Sequence, residues 1–147
     1  MNPPTTIWRK TIVLAAAGGL AFWVTNFAIS LTPIAAAYRA GLNIAYLPML
    51  LEALVGGLMI GFCVSYGLLR FFDKIPTKNP MLKSLILSLI TLLITAILIE
   101  VPAKFLMPTR DALHYFLVGT LFNVIRIPAL GIAIGYLYET LNGDAQK

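Results

Sequence analysis

Charge is what this sequence has least of. Only 12% of its 147 residues are Asp, Glu, Lys or Arg, against 59% hydrophobic, and the mean hydropathy is +0.87. Soluble domains carry about a quarter charged residues. This balance cannot furnish a water-facing surface, so it excludes a soluble globular protein. Cysteine and histidine are almost missing, at one each. Cys63 has no partner for an internal disulfide, and in its hydrophobic run it reads as an inert buried thiol. One Cys and one His cannot write a zinc pattern, and neither a metal nor a cofactor is expected. His114, near Asp111, reads as an interface residue.

Catalytic patterns are missing too. There is no His-Glu-x-x-His, no glycine-rich phosphate loop, no Ser-His-Asp arrangement and no pair of carboxylates on one turn. The chain is therefore not read as an enzyme. Its net charge of +5 would suggest nucleic acid in a soluble protein. Here the cations lie between apolar runs, where membrane topology accounts for them, and no nucleic-acid partner is expected.

What is present is apolar length. Four runs, about 11–31, 44–72, 81–101 and 113–138, each reach the roughly 20 residues that a helix needs to cross a bilayer. The fold class is all-α. We expect a polytopic membrane protein, with four transmembrane helices in a bundle and a short interfacial helix after the first span. Residues 1–147 form one domain, without room for a separate soluble one. The first run follows Arg9 and Lys10 as a signal peptide would. It exceeds the usual core of about 7–15 residues, so it reads as a retained span behind a polar leader, residues 1–10.

Local signals mark the boundaries. Thr32-Pro33 is a cap followed by a first-turn proline, and Gly41 is a stop. A short helix over 33–40 is predicted between them, with Tyr38 and Arg39 near the headgroups. Asn79-Pro80 repeats the cap pattern before the third span. That span is expected to end at Glu100 and Pro102. Thr109 is expected to cap the fourth helix, with Asp111 in its first turn, and the tail after Tyr138 to fray. Lys and Arg number two in the leader and four around the middle loop (Arg70, Lys74, Lys78, Lys83), against three in the opposite connections (Arg39, Lys104, Arg110). The bias puts both termini in the cytoplasm and the chain in the cell membrane.

The halves 1–74 and 75–147 read alike, as a weak duplication. Pro33 and Pro102, and Tyr46 and Tyr115, stand 69 apart, while Gly61 and Gly131, and Tyr66 and Tyr136, stand 70 apart. Both halves would enter from one side, as in parallel repeats.

Each span carries small or polar residues at helical spacing. These are Gly19, Asn26 and Ser30 in the first, and Glu52, Gly56 and Cys63 in the second. The third has Ser84, Ser88, Thr91 and Thr95, and the fourth has Gly119, Asn123, Arg126 and Ala133. Lipid gives such faces no reason to point outward, so all four are expected to turn inward. Packing is one reading of these stripes. A polar path through Asn26, Ser84, Ser88, Thr91 and Thr95 is the other. Gly57-x-x-x-Gly61 and Gly131-x-x-x-Gly135 read as helix-contact faces, within the chain or between copies.

Arg126 is the sharpest anomaly. It lies 11 residues beyond Tyr115 and 12 before Tyr138, about 17 Å from either interface marker at 1.5 Å per residue. Its side chain cannot snorkel that far, and a lone charge at such depth costs about 3 kcal/mol or more. Glu52 is the expected partner, Glu100 a weaker alternative, and Asn123 and Tyr66 supporting hydrogen-bond candidates. Pro128, two residues on, is expected to free the carbonyl of Val124 beside Arg126 and to kink the helix locally.

Three functions stand open at this level, the weakest being a membrane enzyme acting on lipids, with Arg126 or Lys104 and Arg110 holding a headgroup. The first is a small multi-pass protein of structural, assembly or subunit role, with lipid and a second copy or another membrane protein as partners. The second is a small oligomeric transporter or channel with an inward polar seam and a buried Arg126–Glu52 pair.

Overall fold

The computed structural model describes residues 4–106 and 110–143. The expected cap Thr109 lies outside the described residues. Helix α1 covers Pro4–Ser30, α2 Pro33–Gly41, α3 Tyr46–Phe71, α4 Pro80–Thr95, α5 Val101–Phe105 and α6 Ala112–Gly143. Four helical stretches are long and apolar enough to cross a membrane, and they pack as a bundle. No strand occurs among the described residues.

The caps form where the sequence marks them. Thr32 Oγ1 accepts from the Ala35 N–H, and Asn79 Oδ1 accepts from the N–H groups of Met81 and Leu82. Proline stands in the first turn after each. Helix α2 closes with Asn43 at φ 53°, its N–H donating to Ala40 O and that of Ile44 to Arg39 O. This is a Schellman ending, with asparagine in the left-handed position usually taken by glycine.

Four boundaries differ from expectation. The leader is helical from Pro4, because nothing in residues 4–10 breaks the helix begun by the apolar run. Asp111 does not enter the first turn of α6. It precedes the helix at φ 57°, and its carbonyl accepts from Tyr115 N. The tail stays helical as far as Gly143, where Asn142 accepts from Lys10 Nζ at 2.8 Å. That bond joins the beginning of α1 to the end of α6, so both lie at one end of the bundle.

The third span is the most informative difference. It does not stop at Pro102 but runs through a π turn, Ala96–Glu100, into α5. Pro102 has no N–H for the carbonyl four residues back and would crowd it. The helix widens instead of breaking, and Val101 N donates five residues back, to Ala96 O. Pro128 is absorbed as well, since α6 runs unbroken through it.

Lipid offers little hydrophobic drive between helices, so close packing and hydrogen bonds must hold them. In α3, Gly57 and Gly61 lie against Ala15, Gly19 and Phe22 of α1. In α6, Gly131 and Gly135 lie against Met81, Ser84 and Ser88 of α4. The first and second halves are thus each built as a helix pair with glycines on the later helix. Helix α1 also packs on α6, where Gly18 faces Leu130 and Ile134. Leu14, Val64, Leu68, Ile127, Leu130 and Ile134 fill the centre toward the end that holds the two termini, each at 1% exposure or less. Lys83 is buried beside them, donating to the Phe72 carbonyl at the end of α3 with its ammonium 3.5 Å from the Phe72 ring centroid. A cation there suits the negative end of α3.

Candidate functional site

The polar core of the bundle is built around Arg126. One guanidinium nitrogen donates to Asn26 Oδ1 of α1 at 2.5 Å, and another to Asn123 Oδ1, one turn back on α6, at 2.5 Å. Asn123 Nδ2 donates in turn to Glu100 Oε1 at 3.0 Å. The amide thus links cation to carboxylate, and both of its bonds are strengthened by an ionised partner. The Phe22 ring lies under the guanidinium, 5.0 Å from centroid to Cζ. The π turn carries Glu100 into this chain. It is the last residue of the widened turn, and Oε2 lies over Gly119 of α6.

Glycine at 119 is required by that approach. A methyl there would stand 2.9 Å from Glu100 Oε2 and 3.1 Å from Tyr38 Oη. Both are ends of flexible side chains, so Gly119→Ala should fold. Helix propensity favours Ala by up to about 1 kcal/mol, which offsets the crowding. The expected outcome is near-unchanged thermal stability with a displaced Glu100. The signature is loss of the coupling between Glu100 and Arg126 in a double-mutant cycle.

A cavity of about 160 Å³ lies above the guanidinium. Asn26, Ser30, Tyr38, Arg39, Glu100 and Arg126 provide its polar lining, and Ile29, Ile44, Met49 and Phe122 much of its apolar lining. Its volume holds on the order of five waters at about 30 Å³ each. Helix α2 roofs it. Arg39 there donates to the Ser30 carbonyl at 3.0 Å and lies over the Tyr46 ring, 4.9 Å from centroid to Cζ. Lys104 adds a third cation nearby, 5.2 Å from the Tyr38 ring centroid. Two enclosed donors of these side chains, Asn26 Nδ2 and Arg126 Nε, have no hydrogen-bond partner among the described residues. Asn26 is only 4% exposed.

Comparison with family models, curated proteins and solved structures finds no match to this chain.

Other sequence-predicted residues fall elsewhere. Glu52 is not the partner of Arg126. It lies on the outward face of α3, with Met59 and Cys63. The stripe Glu52, Gly56 and Cys63 is out of register with the inward face, which is Ala53, Gly57, Gly61, Val64, Ser65 and Leu68. Glycines occur on both faces, and Gly57 and Gly61 decide which one closes on α1. The hydroxyls of α4 do not line a path with Asn26. Ser84 donates to Gly131 O, Ser88 to Leu85 O and Thr91 to Leu87 O. Ser84 and Ser88 are buried against α6, while Thr91 and Thr95 are half-buried. His114 is exposed, edge-on to Tyr115. No cluster of three metal-ligating side chains occurs among the described residues.

Sequence reasoning underrated Glu100 and assigned Tyr38 and Arg39 only to the interface. One signal could have raised Glu100. A proline two residues after a carboxylate, inside an apolar run, marks a turn that must widen or end. Widening leaves the carboxylate in the span.

Proposed function

We propose that this chain is a non-catalytic multi-pass membrane protein that binds a small polar ligand in the cavity above Arg126. The observation that carries this reading is the cavity of about 160 Å³ lined by Arg126, Glu100 and Arg39. Charged side chains at membrane depth face protein or a water-filled cavity, and a cavity that keeps them together suits a polar ligand.

The cavity is one-sided. Beyond Arg126 the centre is filled by Leu68, Ile127, Leu130 and Ile134, each fully buried. The Ser84, Ser88 and Thr91 hydroxyls donate to backbone carbonyls. These features favour binding over a continuous pore. The basic residues favour both termini in the cytoplasm, with the cavity toward the outer leaflet.

A subunit role is supported by a separate feature. Glu52 lies six residues into α3 on its outward face, about 9 Å from Tyr46. Carboxylates inside a span face protein or water, so this face suits a neighbouring membrane protein.

Cysteine accessibility tests the cavity. In a Cys63→Ala background, Ile29→Cys and Met49→Cys should react with a water-soluble, membrane-impermeant maleimide, and Val64→Cys in the core should not. If neither cavity position reacts, the cavity is dry and the reading fails.

A further inference from the structure

We propose that the groove between the start of α1 and the end of α3 holds the headgroup of an anionic phospholipid, with the phosphate on Arg70 and the glycerol against Trp8 and Tyr66. The groove lies at the opposite end of the bundle from the cavity above Arg126 and shares no residue with it.

Its construction comes first. Ile7 and Trp8 of α1 and Tyr66 and Arg70 of α3 line a groove of about 240 Å³. One wall is a slab of near-parallel rings. Trp8 stacks on Phe62 and Tyr66, with centroids 6.1 and 5.8 Å away. Phe62 and Tyr66, one turn apart on α3, are parallel to within 6°. The slab joins the two helices on their outer side, where Trp8 is 50% exposed. Helical side chains lean toward the N-terminus of their own helix. Helices α1 and α3 run in opposite directions, so Trp8 leans toward the end of the bundle and Arg70 leans back toward Tyr66. Indole and guanidinium are thereby brought to one groove.

Depth is the second argument. Tyr46 and Tyr66 are 20 residues apart on α3. That is a rise of about 30 Å, the hydrocarbon thickness of a bilayer. With Tyr46 at one boundary, Tyr66 stands at the other, the level that Tyr and Trp favour. Arg70 is one turn further on, about 6 Å beyond, at the depth of the phosphates. On the other side of the slab, toward the bilayer centre, Ile12 and Met59 are exposed and give an acyl chain an apolar path.

Charge is the third. Arg70 is the one charged residue that lines the groove among the described residues. The surrounding end of the bundle carries Arg9, Lys10, Arg70, Lys74, Lys78 and Lys83 against Asp73 and Glu139, a formal excess of +4 among the described residues. Asp73 is the acid nearest to Arg70 in sequence. It follows Phe72, which turns inward to stack on Tyr138. A net-negative lipid lowers the excess, whereas a choline headgroup would bring an ammonium into it. The Arg70 fork, the Trp8 indole N–H and the Tyr66 hydroxyl are all donors, and a phosphodiester supplies acceptors. A guanidinium matches phosphate in particular.

Fluorescence quenching tests the site. Full-length protein with Trp23→Phe keeps Trp8 as its only tryptophan. It is placed in phosphatidylcholine bilayers in which, at equal mole fraction, either added phosphatidylglycerol or a share of the phosphatidylcholine carries bromines near the headgroup end of one chain. Bromine quenches tryptophan on contact, so the two curves give the relative affinity of the groove. A preference of roughly fivefold for phosphatidylglycerol is expected, the worth of one surface cation to an anionic lipid. Arg70→Gln should reduce the preference to below about twofold, because it removes that cation. Lys78→Gln removes a charge from the same end but outside the groove, and should keep most of the preference. Arg70 and Lys78 are both exposed, so both variants should fold. Native mass spectrometry of protein that retains Trp23 makes the same comparison without that substitution. There, one retained phosphatidylglycerol per chain, lost in Arg70→Gln, is the matching result.

Equal quenching by the two lipids, or equal retention of them, would overturn the proposal. So would a preference that survives Arg70→Gln. A preference that Lys78→Gln lowers as much as Arg70→Gln would also overturn it, since that is the behaviour of a diffuse positive field and not of a site.

Discussion

Gly61→Leu should prevent the bundle from forming, and Gly61→Ala should cost about 1–3 kcal/mol, the usual range for overpacking. Even a single methyl at this position would stand 2.8 Å from the Ala15 carbonyl oxygen and 3.2 Å from Gly19 N. Both are backbone atoms, so no rotamer can relieve the clash and α1 must move off α3. The loss would extend along the close pair, through Phe22 and Gly57, because helices in lipid are held by contact rather than by exclusion of water. Gly56 is the internal control. It lies on the same helix, and a methyl built there meets nothing within 4 Å. Gly56→Ala should leave stability unchanged or raise it by up to about 1 kcal/mol, through helix propensity alone. Thermal unfolding in detergent, read by fluorescence-detected size exclusion, checks both. Equal behaviour of the two alanine variants would mean that Gly61 does not close the α1–α3 contact.

Arg126→Met should lower stability by about 3 kcal/mol, within the range for removing one member of a buried charged set. Asn26 and Asn123 would each lose a charge-assisted bond, and Glu100 would lose the cation that Asn123 links to it. The decisive variant is the double substitution Arg126→Met with Glu100→Gln. It removes the stranded charge and should recover at least half of the loss. Arg126→Lys should recover less, since an ammonium cannot reproduce the fork that reaches Asn26 on one side and Asn123 on the other. If the double variant is as unstable as the single one, Glu100 is not electrostatically coupled to Arg126. The same comparison with Glu52→Gln in place of Glu100→Gln should give no recovery, because Glu52 lies on the outward face of α3.

Much of the molecule is readable from residue order. The four spans follow from apolar length. The starts of α2 and α4 follow from Thr32-Pro33 and Asn79-Pro80, which act within a few residues of themselves, whereas α2 is ended by Asn43 in the left-handed position and not by the expected Gly41. The stripes of the first and fourth spans were also legible, and Asn26, Asn123 and Arg126 come together in the fold. The second span was not legible in the same way. Glu52, Gly56 and Cys63 share a face, and so do Gly57 and Gly61. Periodicity alone cannot say which face meets α1. Polarity was the misleading guide there, since the packed face uses smallness instead. The third span misled for a local reason. Pro102 reads as a stop, but a helix in an apolar medium has strong reason to keep its backbone bonded and widens around the lost donor.

By itself, then, residue order determined that this is a four-span helical membrane protein with an arginine it must accommodate in the fourth span. Those features depend on hydropathy and on capping, both short-range properties. What the arginine meets was decided only by the tertiary structure. Asn26 lies 100 residues away in sequence, and Glu100 reaches the site through a turn whose pitch differs from the α-helix. Such partners depend on how helices rotate against one another. In lipid that rotation is set by close contacts such as Gly61 on Ala15 and Ser84 on Gly131, which no single helix contains.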